Sequence, residues 1–133
     1  MLQEITAKQY MAASLVTFKP DLDVMTAIHR LLENGISGAP VIDNTGNIVG
    51  LLSEKDCIKV ALTAGYHNQY SGTVSDFMTT SVVTVESDTS ILEIAKMFLD
   101  TPYKRFPVVE DNRLIGQISR RDVLRAVREI SHS

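Results

Sequence analysis

Gly116-Gln117-Ile118-Ser119-Arg120-Arg121-Asp122 has an earlier counterpart in the chain, Gly50-Leu51-Leu52-Ser53-Glu54-Lys55-Asp56. Both have the spacing Gly-x-x-Ser-x-x-Asp, follow a short apolar run and lead into a helical pattern. A serine at a helix N-cap accepts the backbone N–H three residues on, and an acid at that position reaches back to the cap. An aspartate in the first turn also suits the positive end of the helix dipole. The same geometry can serve a ligand, since free N–H groups attract an anion and a short carboxylate accepts from a sugar diol. One copy alone favours capping, and the two roles are compatible.

Two copies call for an alignment of the halves. Stepping 67 positions along the chain, Thr6 meets Thr73, Met11 meets Met78, Val16-Thr17 meets Val83-Thr84, and Pro40-Val41-Ile42 meets Pro107-Val108-Val109. After a one-residue deletion, Gly50, Ser53 and Asp56 meet Gly116, Ser119 and Asp122. Two units of about 55 residues each therefore fill nearly the whole chain.

Each unit reads as strand, helix, strand, strand, helix, an α/β (α+β) class. Residues 3–12 suggest a short amphipathic helix ahead of the first unit. Leu15 to Phe18 predicts a strand closed by Pro20. Asp23 caps a helix with Val24, Ala27, Ile28, Leu31 and Leu32 on its apolar face, stopped at Asn34-Gly35. Ala39 to Ile42 and Ile48 to Leu52 make a hairpin around Asp43 to Asn47. A helix over 55–63 follows, with Cys57, Ile58, Ala61 and Leu62 as inward candidates. The second unit repeats this with a strand at Val82 to Val85, a Ser90-x-x-Glu93 capping box, a hairpin from Phe106 to Ile118, and a last helix over 121–130 with Val123, Leu124, Val127 and Ile130 apolar. Division of the chain into 1–64, a polar linker 65–73, and 74–133 follows.

At 133 residues and 44% apolar, the chain suits one compact domain whose halves are expected to share a core. The net charge of −3 argues against general nucleic-acid binding. Cys57 is the only cysteine, so no disulfide framework or cysteine zinc site forms within one chain. His29, His67 and His132 are scattered, with no metal-ligand spacing on one helix. No apolar run reaches the length of a membrane span. No serine, cysteine or lysine has a general base implied by motif, and a duplicated turn is an unusual way to build a nucleophile. The expectation is a cytoplasmic, non-catalytic protein with no metal and no required cofactor.

The ordered set Val74-x-Asp76-Phe77-Met78, Val16-Thr17, Val83-Thr84, Ser37-Gly38-Ala39-Pro40-Val41-Ile42-Asp43 and the two Gly-x-x-Ser-x-x-Asp turns resembles the CBS-domain pair, tandem domains of the cystathionine beta-synthase type. The resemblance covers residues 6 to about 128. It implies two repeats packed sheet to sheet about a pseudo-two-fold axis. It also implies two clefts that commonly hold adenosine nucleotides (AMP, ADP or ATP) or, as a second choice, S-adenosylmethionine. It implies a regulatory, energy-sensing role, a homodimer, and a separate regulated protein. Carried over, cleft A draws on Ser53 and Asp56 with Thr84, Lys104 and Arg105. Cleft B draws on Ser119, Arg121 and Asp122 with Thr17, Ser37 and Gly38. Thr17 and Thr84 are equally readable as β-branched strand ends.

Lys104-Arg105-Phe106 stands where the first repeat has Ser37-Gly38-Ala39, which points to cleft A as the stronger phosphate holder. Residues 104–128 hold seven Lys or Arg against three acids, favouring an anionic ligand or partner. Two alternatives remain open: a dimeric interaction module with empty or vestigial clefts, and a nucleic-acid-associated protein using the basic cluster 104–128.

Overall fold

In the computed structural model, which describes residues 1–67 and 71–131, the chain forms two compact units. One comprises residues 16–82 and the other residues 1–15 with 83–133. The expected linker is described only in part. His132 and residues 68–70 lie outside the described residues, as do the side chains of 64–67, His67 included.

In the unit formed by 16–82, α2 (Val24–Asn34) begins where Asp23 accepts the Thr26 N–H at 3.2 Å. It ends at Gly35, whose φ of 62° is the left-handed cap that glycine adopts at little cost. Strands β1 (Gly38–Ile42) and β2 (Ile48–Ser53) form the antiparallel hairpin, and β2 runs straight into α3 (Glu54–His67). The expected first strand shrinks to one bridge, Phe18 beside Val41, with Phe18 N–H donating to Pro40 and Ile42 N–H to Phe18. The short helix α4 (Val74–Phe77) completes this unit.

The other unit repeats the plan. α1 (Ala7–Tyr10) is shorter than the expected 3–12 helix. β3 (Val85–Glu86) lies parallel to β4 (Arg105–Glu110), and β4 pairs antiparallel with β5 (Arg113–Ser119). α5 (Ile91–Asp100) starts at Ser90, whose hydroxyl accepts the Glu93 N–H at 3.1 Å, and α6 (Arg120–Ser131) follows β5 directly.

Each unit has its own apolar cluster. Phe18, Ala27, Leu31, Val41, Leu52 and Val74 form the first, with Phe77 and Met78 against it. Ile91, Ile94, Phe98, Phe106, Val108 and Ile118 form the second, with Ala7, Tyr10 and Met11 against it. The physical reason is an exchange of short segments. Residues 6–12, which precede the first repeat, pack on the sheet of the second; residues 73–79, which precede the second, pack on the sheet of the first. Each segment is bridged at both ends, Thr6 to Ser90 and Thr73 to Asp23 at the start; at the far end Ala12 and Gln117 exchange N–H···O bonds of 2.8 and 2.9 Å, and Thr79 and Leu51 exchange two of 2.9 Å.

The inward face of α3 differs from the expected one, and of the apolar set on α6 only part is buried. Ile58, Leu62, Leu124 and Val127 are exposed, while Asp56 and Val60, and Val123 and Ala126, are buried or nearly so. Leu32 of α2 is also exposed. The capping acid sets the rotation of α3 and α6, because its bonds to the turn hold that side of the helix against the sheet. The largest apolar residues then fall on the other side.

Candidate functional site

The two Ser-x-x-Asp turns are built alike. At the first, Ser53 N–H donates to Asp56 Oδ2 at 3.0 Å and Asp56 N–H donates to Ser53 Oγ at 3.1 Å. At the second, Ser119 N–H donates to Asp122 Oδ2 at 2.8 Å and Asp122 N–H to Ser119 Oγ at 3.3 Å. These reciprocal bonds satisfy two helix-end donors and fix each carboxylate at the junction of strand and helix. The capping reading of the motif is realised in both copies.

The glycine that opens each motif is required by a close approach. A methyl group on Gly50 would lie 2.7 Å from Met78 Sδ and 2.9 Å from the Thr79 carbonyl oxygen. On Gly116 it would lie 2.5 Å from Met11 Sδ and 2.8 Å from the Ala12 carbonyl oxygen. The two methionines and two glycines that align in sequence are thus one contact, made twice, with the segments exchanged.

Beyond the caps, the turns diverge. Asp56 is 5% exposed and takes a further bond from the Thr79 hydroxyl, at 3.1 Å to Oδ1 and 3.3 Å to Oδ2. Lys59 Nζ lies 3.4 Å from Oδ1. At the second turn the residue matching Thr79 is Ala12, which has no hydroxyl. There the free oxygen of Asp122 is met by Arg125, at 2.8 Å to Oδ1, and the Ser119 hydroxyl donates to Oδ2 at 3.0 Å. The Arg125 guanidinium also donates to the Tyr10 carbonyl at 3.1 Å and stands 5.6 Å from the Tyr10 ring centre. The Tyr10 hydroxyl in turn donates to Glu129, a bond that holds its proton and raises its pKa.

The second turn opens onto a groove of about 590 Å³ lined by Ser119, Arg121, Asp122, Leu124, Arg125 and Arg128. That volume is within the usual range for a small-molecule site. Arg121, Leu124, Arg125 and Arg128 share one face of α6. Among the described residues, neither Arg121 nor Arg128 has an acid within ion-pair distance.

The expected site residues fall in both units. Thr17, Ser37, Gly38, Ser53 and Asp56 belong to the unit of residues 16–82. There Gly38 pairs with Ser53 and the Ser37 carbonyl accepts the Glu54 N–H at 2.9 Å. Thr84, Lys104, Arg105, Ser119, Arg121 and Asp122 belong to the other unit, where Arg105 pairs with Ser119 and the Lys104 carbonyl accepts the Arg120 N–H at 3.2 Å. Within a unit, then, each Pro-Val strand start sits beside the Ser-x-x-Asp turn of its own repeat. Sequence reasoning passed over Thr79 and Arg125 as partners of the two acids. The pairing of Thr79 with Ala12 at matched positions was the available signal for the first. Arg125, three residues after Asp122, was the signal for the second.

Among the described residues no cluster of histidine, cysteine or acidic side chains has the makings of a metal site, and no helix is long and apolar enough to cross a membrane. Cys57 packs at the edge of its unit's apolar cluster, where burial and the neighbouring Asp56 and Glu54 charges push its thiol pKa up. That environment is opposite to the one that activates a nucleophilic thiol.

Known proteins share this arrangement. The CBS domain model matches residues 7–63 and 74–129. Over 86% of its length the chain is similar to the chloroplastic CBS domain-containing protein CBSX1 of Arabidopsis thaliana, at 32% identity, and it spans 60% of that protein. An uncharacterized protein of Methanocaldococcus jannaschii is 28% identical, with 90% of this chain and 89% of that protein covered. The crystal structure of CBSX2 in complex with AMP superimposes with a TM-score of 0.82 at 30% identity, covering 96% of this chain and 98% of that one. The chain belongs to the CBS-domain family and carries two CBS domains in tandem.

Proposed function

We propose that this protein is a regulatory sensor that binds an adenosine nucleotide, AMP, ADP or ATP, at its Ser-x-x-Asp turns and performs no chemistry on it. The observation that carries the reading is the twice-built strand–turn–helix junction. Each one fixes a carboxylate with the N–H of its own serine, and a carboxylate is the acceptor type that suits a ribose diol. Lys104, Arg105 and Arg121 lie near the second of these turns in the chain fold and supply charge for phosphate. Thr17 and Thr84 at the strand entries, Ser37 and Gly38 beside Ser53, and Ser53 and Ser119 complete the proposed contacts. The likeness to CBSX2, crystallised with AMP, supports the ligand class. S-adenosylmethionine is a weaker fit to a surface this rich in arginine, because its sulfonium is cationic.

We propose further that the protein works as a homodimer that regulates a separate protein. Leu32 and Leu99 occupy matched positions on α2 and α5, and Ile58 and Leu124 matched positions on α3 and α6; all four are well exposed. A pattern of exposed apolar side chains repeated in both units supports self-association. The lone Cys57, with no partner for a disulfide in the chain, fits a reducing compartment such as the cytoplasm.

Calorimetric titration with AMP, ADP and ATP tests the ligand reading. Saturation by at least one of them is expected, with a rise in melting temperature, since a ligand at 100 times its dissociation constant stabilises by about 2.7 kcal/mol. No heat and no thermal shift with all three at millimolar concentration overturns it. Sedimentation at tens of micromolar tests the dimer, and Leu32→Lys with Leu99→Lys, both outside the groove, is expected to shift it to monomer. A parent that sediments only as monomer removes that part of the proposal.

A further inference from the structure

The two acids differ in what holds the oxygen a ligand would need. We infer that Thr79 withholds Asp56 from ligands, so that the Asp122 turn is the dominant nucleotide site and Thr79 is the residue that sets this preference. The inference rests on the nucleotide reading above and specifies which turn serves it.

Asp56 is nearly inaccessible, and both of its oxygens lie within reach of the Thr79 hydroxyl. The backbone that carries Thr79 is fixed, because its N–H and C=O are paired with Leu51 at 2.9 Å each. A diol approaching Asp56 would have to displace a hydroxyl carried on fixed backbone. At Asp122 the backbone is held in the same way, by Ala12 and Gln117, but Ala12 brings no hydroxyl. There the competing groups are the Ser119 hydroxyl on Oδ2 and, on Oδ1, Arg125, a long side chain that is 48% exposed and donates from the groove side; Lys59 is its counterpart at Asp56, so Thr79 is the contact that the second turn lacks. A guanidinium on a flexible stem can swing from carboxylate to phosphate as a ligand enters. Arg121 and Arg128, on the same face of α6, would meet the remaining phosphate charge.

This reverses the preference suggested by Lys104 and Arg105 alone. Those two cations lie in the same unit as Ser119 and Asp122, with Arg105 directly paired to Ser119. The basic residues and the more exposed of the two acids, with a side chain 15% exposed against 7%, are thus gathered in one unit.

The test is calorimetric titration of AMP and ATP into the parent and into Asp122→Asn, Asp56→Asn, Thr79→Ala and Ala12→Thr, each checked for an intact melting transition. Asp122→Asn is expected to weaken binding by about 10-fold or more, the range for losing a hydrogen bond to a charged group, while Asp56→Asn leaves it within about 2-fold. Thr79→Ala in the Asp122→Asn background is expected to recover binding through the first turn. Ala12→Thr, which gives the second turn the same clasp, is expected to weaken the parent's binding. If Asp56→Asn fails to fold, the Thr79→Ala and Ala12→Thr pair decides alone. Loss of binding in Asp56→Asn with none in Asp122→Asn overturns the inference and leaves the nucleotide reading standing. So does a Thr79→Ala/Asp122→Asn protein that binds no better than Asp122→Asn. A parent that binds neither AMP, ADP nor ATP overturns both.

Discussion

Met78 covers Gly50 so closely that a single methyl group on the glycine would come within 2.7 Å of the Met78 sulfur. The contact couples a segment that precedes the second repeat to the sheet of the first. Met11 and Gly116 repeat it in the other direction. Each Ser-x-x-Asp turn is therefore supported from above by a segment whose own repeat lies elsewhere in the chain.

Gly50→Ala and Gly116→Ala should each destabilise the fold by about 1–3 kcal/mol, the usual cost of overpacking. The nearest atoms include the backbone oxygens of Thr79 and Ala12, which cannot move aside as a side chain can. Thermal or urea unfolding measures the loss. Melting temperatures equal to the parent's in both variants would mean that the segments are not held as described.

Arg125→Ala should loosen α1 while leaving the α6 cap intact. It removes the guanidinium shared by Asp122 and the Tyr10 carbonyl, along with the contact over the Tyr10 ring. Hydrogen exchange over residues 7–12 should quicken, whereas exchange in β4 and β5 should not change. Arg125→Lys should restore the slow exchange only in part, because an ammonium can donate to both oxygens but does not lie flat over the Tyr10 ring as the guanidinium does.

Asp43→Asn should lower the melting temperature at neutral pH, with the difference from the parent shrinking in acid. The Thr45 hydroxyl, the N–H groups of Thr45 and Asn47, and the Lys19 charge together hold the Asp43 carboxyl below its ordinary value. A depressed folded pKa gives stability that is present above the unfolded value of about 3.9 and is lost as pH falls through the folded one. Melting curves of both proteins from pH 7 to pH 3 should converge below about pH 4. A constant gap across that range would show that the charge is not what holds the turn.

Asp23→Ala should cost about 1 kcal/mol, since it strips the N-cap of α2 of its side-chain acceptor. Asp23→Ser should recover most of that loss. Denaturant midpoints of the three proteins at a common slope provide the comparison.

The sequence by itself determined the duplication, the order of elements in each unit, and the two capped turns. These are short-range matters. The spacing of Ser and Asp fits a helix start whatever surrounds it, Gly35 stops a helix because few other residues take its φ, and the hairpins follow from apolar runs around turn residues. Tertiary structure decided what lay between distant residues. It exchanged residues 6–12 and 73–79 between the repeats, a choice to which the alignment is blind because the two segments match each other equally well. It also turned α3 on the axis of its capping acid, leaving Ile58 outside where periodicity placed it inside, and left Leu124 of α6 exposed. Finally, it made the two aspartates unequal. Asp56 and Asp122 are the same residue in the same motif, each with a basic side chain three residues on, and the Thr79 hydroxyl, brought up by the fold where the other turn has Ala12, tells them apart.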